Sequence, residues 1–180
     1  MVPRGHTGRP EGPDAMDVLV DGNRRFAETD FRPDLTMRPS LATIVISCFD
    51  PRVDPAVVLG VGQGEIGVLR NIAGRVTPRT IEELVMLREI GRSVGPGIGP
   101  GWEIVVLQHT QCGITKIEDR PDLLTPYFDA DPGGKSVTEP HSAVRHDVAV
   151  LRAETQLAGV AVSGLVYDVT TGLVEVVARP

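Results

Sequence analysis

This sequence has little cysteine, no long apolar run and no excess of positive charge. The 180 residues include two cysteines, too few for the disulfide framework of a small secreted protein. No apolar run approaches the ~18 residues that a membrane-spanning helix needs, so we expect no membrane span. The N-terminal residues also lack the apolar segment of a secretory signal. These absences favour a protein of the reducing cytoplasm.

The net charge and the apolar content further restrict the class of protein to which this chain can belong. A formal net charge of −6 argues against a broad nucleic-acid surface, so we expect no nucleic-acid partner. A hydrophobic content of 41% over 180 residues suits one domain with a full core. Residues 1–13 are rich in Gly, Pro and Arg and are predicted to be a disordered tail. Their stretch VPRG resembles a protease site added for expression, although it could also be native. We leave it out of the fold, and the predicted single domain covers residues 14–180.

Strands and helices alternate along this domain. Two short apolar runs, ATIVIS at 42–47 and EIVVLQ at 103–108, are typical of strands buried on both faces. Periodicity, capping residues and turn residues predict helices at 14–28, 54–59, 78–92 and 141–157, and further strands at 65–69, 160–167 and 173–178. The Pro-, Gly- and Asp-rich stretch 119–138 is predicted to be a loop.

This alternation predicts an α/β fold of three layers. A mostly parallel β-sheet, with strand order about 2-1-3-4, would be flanked by helices. The last two strands are close enough to form a hairpin, which would add an antiparallel edge strand.

Two short motifs follow two of the predicted strands. CFDPR at 48–52 comes directly after the first strand, and HTQCG at 109–113 directly after the third. Sites in open parallel sheets form at the carboxyl ends of strands where the strand order reverses, and here strands one and three are neighbours at that point. We therefore expect Cys48, His109 and Cys112 to meet, although either cysteine alone could be an inert buried residue. Zinc prefers these residue types, and three protein ligands leave the open position of a catalytic zinc site.

The combination of motifs resembles the β-class carbonic anhydrases. That family carries C-x-D-x-R after the first strand and H-x-x-C after the third. The stretch GEIGVLRNIAG at 64–74 is similar to the family's G-E-A-F-V-V-R-N-x-A segment, and GLVYD at 164–168, followed by Thr171 and Gly172, is similar to its last hairpin. The resemblance covers nearly all of the predicted domain.

This resemblance implies a function and a set of site residues. Cys48, His109 and Cys112 would be the ligands of Zn²⁺, with Asp50 and Arg52 as the pair that governs the fourth zinc position. The enzyme would be a carbonate dehydratase, in which a zinc-bound hydroxide reversibly hydrates CO₂ to bicarbonate and a proton. The resemblance also implies a homodimer or larger homo-oligomer, with the N-terminal helix lying on the partner.

The chemistry of Asp50 and Arg52 can be argued independently of the family. Two thiolates cancel the charge of Zn²⁺, so the ion acidifies water less than it would with three histidines. Asp50 could therefore assist by accepting a hydrogen bond from the zinc-bound water. A bidentate pair with Arg52 would keep Asp50 ionised and away from the metal. If that pair broke, Asp50 could become the fourth ligand and close the site.

Some residues depart from the family pattern. Pro51 stands where the family has Ser or Ala, Gly67 where many relatives have Phe, and Pro39 where some relatives carry a substrate-binding Gln. Arg70 and Asn71, at the end of the second strand, are interpreted as structural residues.

Three other functions remain open on the sequence alone. They are hydrolysis of a related molecule such as CS₂ or COS at the same site, non-catalytic zinc binding, and redox chemistry of the two cysteines. The lack of C-x-x-C spacing disfavours the redox function.

Overall fold

The computed structural model describes residues 12–129 and 137–180. The chain divides into two compact units, Met1–Leu35 and Thr36–Pro180. Residues 1–11, which make up most of the predicted disordered tail, lie outside the described residues. Within the described ranges, no helix is both long enough and apolar enough to cross a bilayer.

The first unit contains the amphipathic helix α1, Ala15–Thr29. Asp14 caps this helix by accepting a hydrogen bond from the backbone N–H of Met16 at 3.1 Å, as short polar residues do at helix starts. In the part of the chain that the structure describes, no residue of α1 is buried. The helix therefore presents large exposed apolar side chains: Met16, Val18, Leu19 and Val20.

The second unit is built on a five-stranded sheet with the order β2-β1-β3-β4-β5. The strands are β1 (Thr43–Cys48), β2 (Ile66–Asn71), β3 (Glu103–His109), β4 (Ala161–Tyr167) and β5 (Val174–Ala178). β1 pairs in parallel with β2 and β3, and β3 with β4, whereas β5 runs antiparallel to β4. The predicted mostly parallel sheet, its order and its antiparallel edge strand are confirmed.

Helices cover both faces of this sheet, which confirms the three-layer architecture. Successive side chains of a strand point to opposite faces, so Ile44 and Ile46 of β1 join one core cluster and Val45 joins another. The first cluster packs under α3 (Pro78–Val94) and α5 (Pro140–Ala153), the second under α2 (Pro55–Leu59). Burial on both faces explains why the sequences of β1 and β3 are nearly continuous apolar runs.

The prediction of a loop throughout 119–138 was wrong in its first half. Residues Pro121–Phe128 form helix α4, while 130–136 lie outside the described residues. Proline is well suited to the first turn of a helix, where its missing N–H needs no partner. Leu124 and Phe128, four residues apart on one helical face, are both buried and hold the helix to the core. Tertiary packing thus overrides the local loop signal.

The turn after β2 packs directly against the end of β1. Gly74 has a φ of 63°, and a Cβ atom there would lie 2.8 Å from the backbone nitrogen of Cys48 and 2.8 Å from the carbonyl carbon of Ser47.

We predict that Gly74→Ala lowers the free energy of unfolding by about 1–3 kcal/mol, because both the positive φ and the contact oppose a side chain. Chemical denaturation measures this change.

Gly99→Ala is the matched control, since a Cβ atom there would meet no heavy atom within 4 Å. Equal stability of the two variants would contradict the steric argument.

Candidate metal centre

The carboxyl ends of β1 and β3 carry the two motifs. β1 ends at Cys48 and β3 ends at His109, and the two strands are parallel neighbours whose last registered pair is Ser47 with Leu107. Beyond β3, Gln111 adopts a φ of 55°. Cys112 follows as the N-cap of a short 3₁₀ segment, Gly113–Ile117. The turn returns the chain to the edge of the sheet where β1 ends.

Cys48, His109 and Cys112 come together at this edge. Each offers one ligating atom, and these atoms all lie within 4.8 Å of one another. The two sulfur atoms are 3.8 Å apart, and both cysteines are free of disulfide bonds. Cys48 and His109 are buried, while Cys112 is half-buried. The structure thus brings together the three residues that the sequence singled out as zinc ligands.

The imidazole of His109 is oriented toward the sulfur atoms by a single hydrogen bond. Its Nδ1 lies 2.8 Å from the carbonyl oxygen of Thr110, which accepts the ring proton. The other nitrogen, Nε2, is buried and has no hydrogen-bond partner among the described residues. A histidine that only filled core space would satisfy both nitrogens, so this free lone pair fits a metal ligand.

The two thiols share a proton across their 3.8 Å contact. The pKa of Cys48 is lowered to about 4, chiefly because the Cys112 thiol donates a hydrogen bond to it, with further contributions from His109 and the backbone N–H of Asp50. The pKa of Cys112 is raised because its proton is held by Cys48 and because the group is buried. One sulfur is therefore a ready anion, and a cation can replace the proton on the other.

Asp50 and Arg52 form a bidentate ion pair beside the cluster. Asp50 Oδ1 accepts from Nε of Arg52 at 3.0 Å and from its backbone N–H at 2.9 Å, while Oδ2 accepts from Nη2 at 2.7 Å. These bonds lower the pKa of Asp50 to about 2, so the carboxyl group is ionised. Asp50 Oδ2 lies 4.0 Å from Nε2 of His109. The pair forms although Pro51 stands between its two members.

Arg52 also joins the two motifs to each other. Its Nη2 donates to the carbonyl oxygen of Gln111 at 3.2 Å, in the turn that precedes Cys112. One guanidinium group therefore contacts both the carboxylate after β1 and the backbone after β3.

A buried ion pair behind the cluster was missed by sequence reasoning. Asp147 of α5 accepts hydrogen bonds from Nε and Nη2 of Arg75 at 2.8 and 3.1 Å, from the backbone of Val76 at 3.0 Å and from the amide of Gln108 at 3.1 Å. Gln108 directly precedes His109 in β3, so this network supports the strand that carries the imidazole. A sequence signal existed, because Asp147 interrupts the apolar stripe of α5: Ala143, Val144, Val148 and Leu151.

Two other sequence features, a stretch that matches G-x-G-x-x-G and the histidine His141, lie outside the cluster. GQGEIG at 62–67 runs into β2 rather than into a helix, so it lacks the strand–turn–helix context of a dinucleotide site. His141 pairs with Glu175 of β5 at 2.9 Å.

Comparison of the sequence with known proteins finds one matching family model and a set of curated relatives. The family model for carbonic anhydrase matches residues 43–126. A β-carbonic anhydrase of Mycobacterium tuberculosis is 31% identical over 103 residues, which are 57% of this chain and 58% of the relative. The chain thus matches less than two thirds of the length of that curated relative.

Comparison of structures extends the similarity to the whole fold. A carbonic anhydrase from Streptococcus mutans superposes with a TM-score of 0.70 at 29% identity, covering 90% of this chain and 96% of the other. A carbon disulfide hydrolase shares the fold with a TM-score of 0.59 at 21% identity, covering 89% of this chain and 86% of the other. Residues 43–126 thus match the carbonic anhydrase family model, and the chain is similar in sequence and in fold to β-class carbonic anhydrases.

Proposed function

We propose that this protein is a zinc-dependent carbonic anhydrase that reversibly converts CO₂ and water to bicarbonate and a proton, with residues 14–180 acting as one domain. One observation carries the proposal. His109, whose buried Nε2 is unpartnered among the described residues, offers a ring nitrogen within 4.8 Å of two cysteine sulfurs. A buried polar atom without a partner is costly, and a cation held by this imidazole and the two sulfurs would compensate it.

The donor set fits zinc in number and kind. Cys48, His109 and Cys112 would hold the ion, because thiolate and imidazole ligands select zinc over the harder cations magnesium and calcium. When bound, zinc acts as a Lewis acid that lowers the pKa of water and supplies a nucleophile for CO₂ near neutral pH. The two thiols need a reducing environment to stay available, so we propose a cytoplasmic location.

Asp50 has the protonation state and the position to orient a reacting water. Ionised carboxylates only accept hydrogen bonds, so Asp50 accepts one from the water and directs its lone pair to CO₂. Arg52 holds both carboxylate oxygens, which keeps Asp50 from serving as a fourth ligand. This division of roles supports an open, catalytic site rather than a closed structural one.

Hydrolysis of CS₂ or COS is the second candidate. The carbon disulfide hydrolase that shares this fold motivates it. The same three ligands would serve, and only the shape of the access path would choose between substrates.

The metal content of the purified protein tests the ligand assignment. We expect about one zinc ion per chain in the wild-type protein, and loss of that zinc in Cys48→Ala, since two remaining ligands cannot retain the ion. Elemental analysis of the purified proteins measures this. His141→Ala is the control and should keep its zinc, because His141 pairs with Glu175 instead.

Zinc in the wild-type protein without CO₂ hydration would refute the carbonic anhydrase proposal. Sulfide release from CS₂ by the same sample would then favour the second candidate, and inertness toward both substrates would favour a non-catalytic zinc protein.

Substitution of Asp50 tests the orienting role. Asp50→Asn should keep the zinc but lose about 10²–10³-fold in kcat, or about 2.7–4 kcal/mol of barrier, because the amide cannot accept in the same geometry. Stopped-flow CO₂ hydration measures the rate. The control is Asp122→Asn, since Asp122 forms the same fork with Arg120 two residues away, at 2.9 and 2.7 Å, on an exposed surface. Similar rates in both variants would eliminate the proposed role.

The assembly that we propose is a homodimer. An apolar groove of about 620 Å³ lies beside the edge strand β2, between the end of α3 and the segment that precedes β1. Its lining includes Met37, Ile90 and Val94, of which 67%, 50% and 71% are exposed. A contiguous exposed apolar surface can mark a protein interface. A second copy of the chain would cover the groove, and the exposed apolar side chains of α1 are a further surface that assembly could bury.

A charge placed in the groove should break the assembly. Val94→Asp is expected to convert a dimer into monomers at micromolar concentration, because burying an unpaired carboxylate costs more than the contact gains. Light scattering during size-exclusion chromatography measures the mass. Leu173→Asp is the control, since Leu173 is equally exposed at 71% but lies outside the groove. A wild-type monomer, or a dimeric Val94→Asp protein, would contradict this assembly.

A further inference from the structure

One arginine of β2 holds the backbone that carries the CFDPR motif. Arg70 Nε donates to the carbonyl oxygen of Cys48 at 2.9 Å, and Nη2 donates to the carbonyl oxygens of Phe49 at 3.2 Å and Asp50 at 2.8 Å. Its Nη1 also contacts the carboxylate of Asp54 at 3.2 Å. One guanidinium thus makes four hydrogen bonds to four residues of the segment 48–54.

These carbonyl groups lie where the sheet can no longer pair them. The registered pairs of β1 end at Ser47 on the side of β3 and at Cys48 on the side of β2, and a last backbone bond joins Phe49 N–H to the carbonyl oxygen of Asn71 at 2.8 Å. Beyond that point, Pro51 has no N–H to contribute to a turn. The guanidinium of Arg70 therefore replaces the missing strand partner along this segment.

We infer that Arg70 is a positioning residue for the metal centre. It sets the backbone from which the Cys48 sulfur and the Asp50 carboxylate project, so it fixes both groups relative to His109 and Cys112 on the neighbouring strand. Arg70 acts through main-chain carbonyl groups, whereas Arg52 acts on the Asp50 side chain. The consequence for zinc rests on the proposed function.

The geometry of the guanidinium is what this role requires. Its planar fork directs several N–H bonds at fixed angles, while the ammonium group of lysine is a compact charge with freely rotating donors. Arg70→Lys therefore keeps the charge and the ion pair with Asp54 but loses the simultaneous hold on three carbonyl groups. Asp54→Asn does the reverse, because it removes the ion pair, retains the cap of α2 and leaves the three carbonyl contacts in place.

Zinc affinity and cobalt spectroscopy test the inference in the full-length protein. In competition with a chromophoric chelator, Arg70→Lys should bind zinc about 10–100-fold more weakly, as expected when a support of a metal ligand is lost. The Co²⁺-loaded variant should show altered sulfur-to-cobalt and d–d absorption bands, which report the ligand geometry. Asp54→Asn, and Arg79→Lys at an exposed ion pair of α3, should retain the wild-type affinity and spectrum. A purely structural role for Arg70 would lower the melting temperature and leave the cobalt spectrum unchanged.

Hydrogen exchange in the metal-free protein provides a readout that needs no ion. The amide hydrogens of residues 49, 50, 52 and 53 should exchange faster in Arg70→Lys than in the wild-type and control proteins. Wild-type exchange together with wild-type zinc affinity in Arg70→Lys would overturn the inference, as would an equal loss of affinity in Asp54→Asn. Failure of the wild-type protein to bind zinc would refute the proposed function, and the exchange comparison would still decide whether Arg70 holds the segment.

Discussion

Parallel pairing of β1 with β3 is the constraint on which the site depends. Cys48 and His109 are 61 positions apart in the chain, and only the adjacency of these two strands brings their carboxyl ends to one edge. The strands are held by burial on both faces rather than by the site itself, since most of their side chains belong to the two large core clusters. A shift of register by one residue would reverse the faces of a whole strand and expose its core side chains. The core therefore fixes where the ligating atoms stand.

Negative charge is concentrated at this edge and needs compensation. The sulfur pair of Cys48 and Cys112, which shares one proton, carries negative charge. The ionised carboxylate of Asp50 lies beside the same cluster, 4.0 Å from Nε2 of His109. Arg52 neutralises the carboxylate from the solvent side, and a divalent cation would neutralise the sulfurs. Because each compensation acts on a different group, the carboxylate can stay beside the cation without joining its ligands.

Most of the fold was predictable because its signals are local. Short apolar runs marked β1 and β3, and Thr77, Pro78 and the apolar spacing marked α3, whose cap accepts from Thr80 as expected for a helix start. Helix α4 was missed because its proline and aspartate residues are typical of loops. What stabilises it is contact of Leu124 and Phe128 with a core cluster assembled from distant segments.

The residues of the candidate site also fall into two groups, those predictable from local sequence and those that depend on distant contacts. Cys48, Asp50, Arg52, His109 and Cys112 were singled out from the sequence as candidate site residues because each belongs to a short motif at a strand end. Arg70 was assigned a structural role, and Asp147 was not considered, because their importance depends on partners that are 16 to 72 positions away in the chain.

The sequence by itself determined which residue types stand at the ends of the strands and which strands are buried, since periodicity and residue chemistry are properties of neighbouring positions. Only the tertiary structure decided that His109 would lie beside two sulfurs with its Nε2 lacking a hydrogen-bond partner among the described residues, and that Arg70 would hold three carbonyl groups at and just beyond the end of β1. Both depend on contacts between segments far apart in the chain, whose distances and angles arise only when the sheet has formed and the core has closed around it.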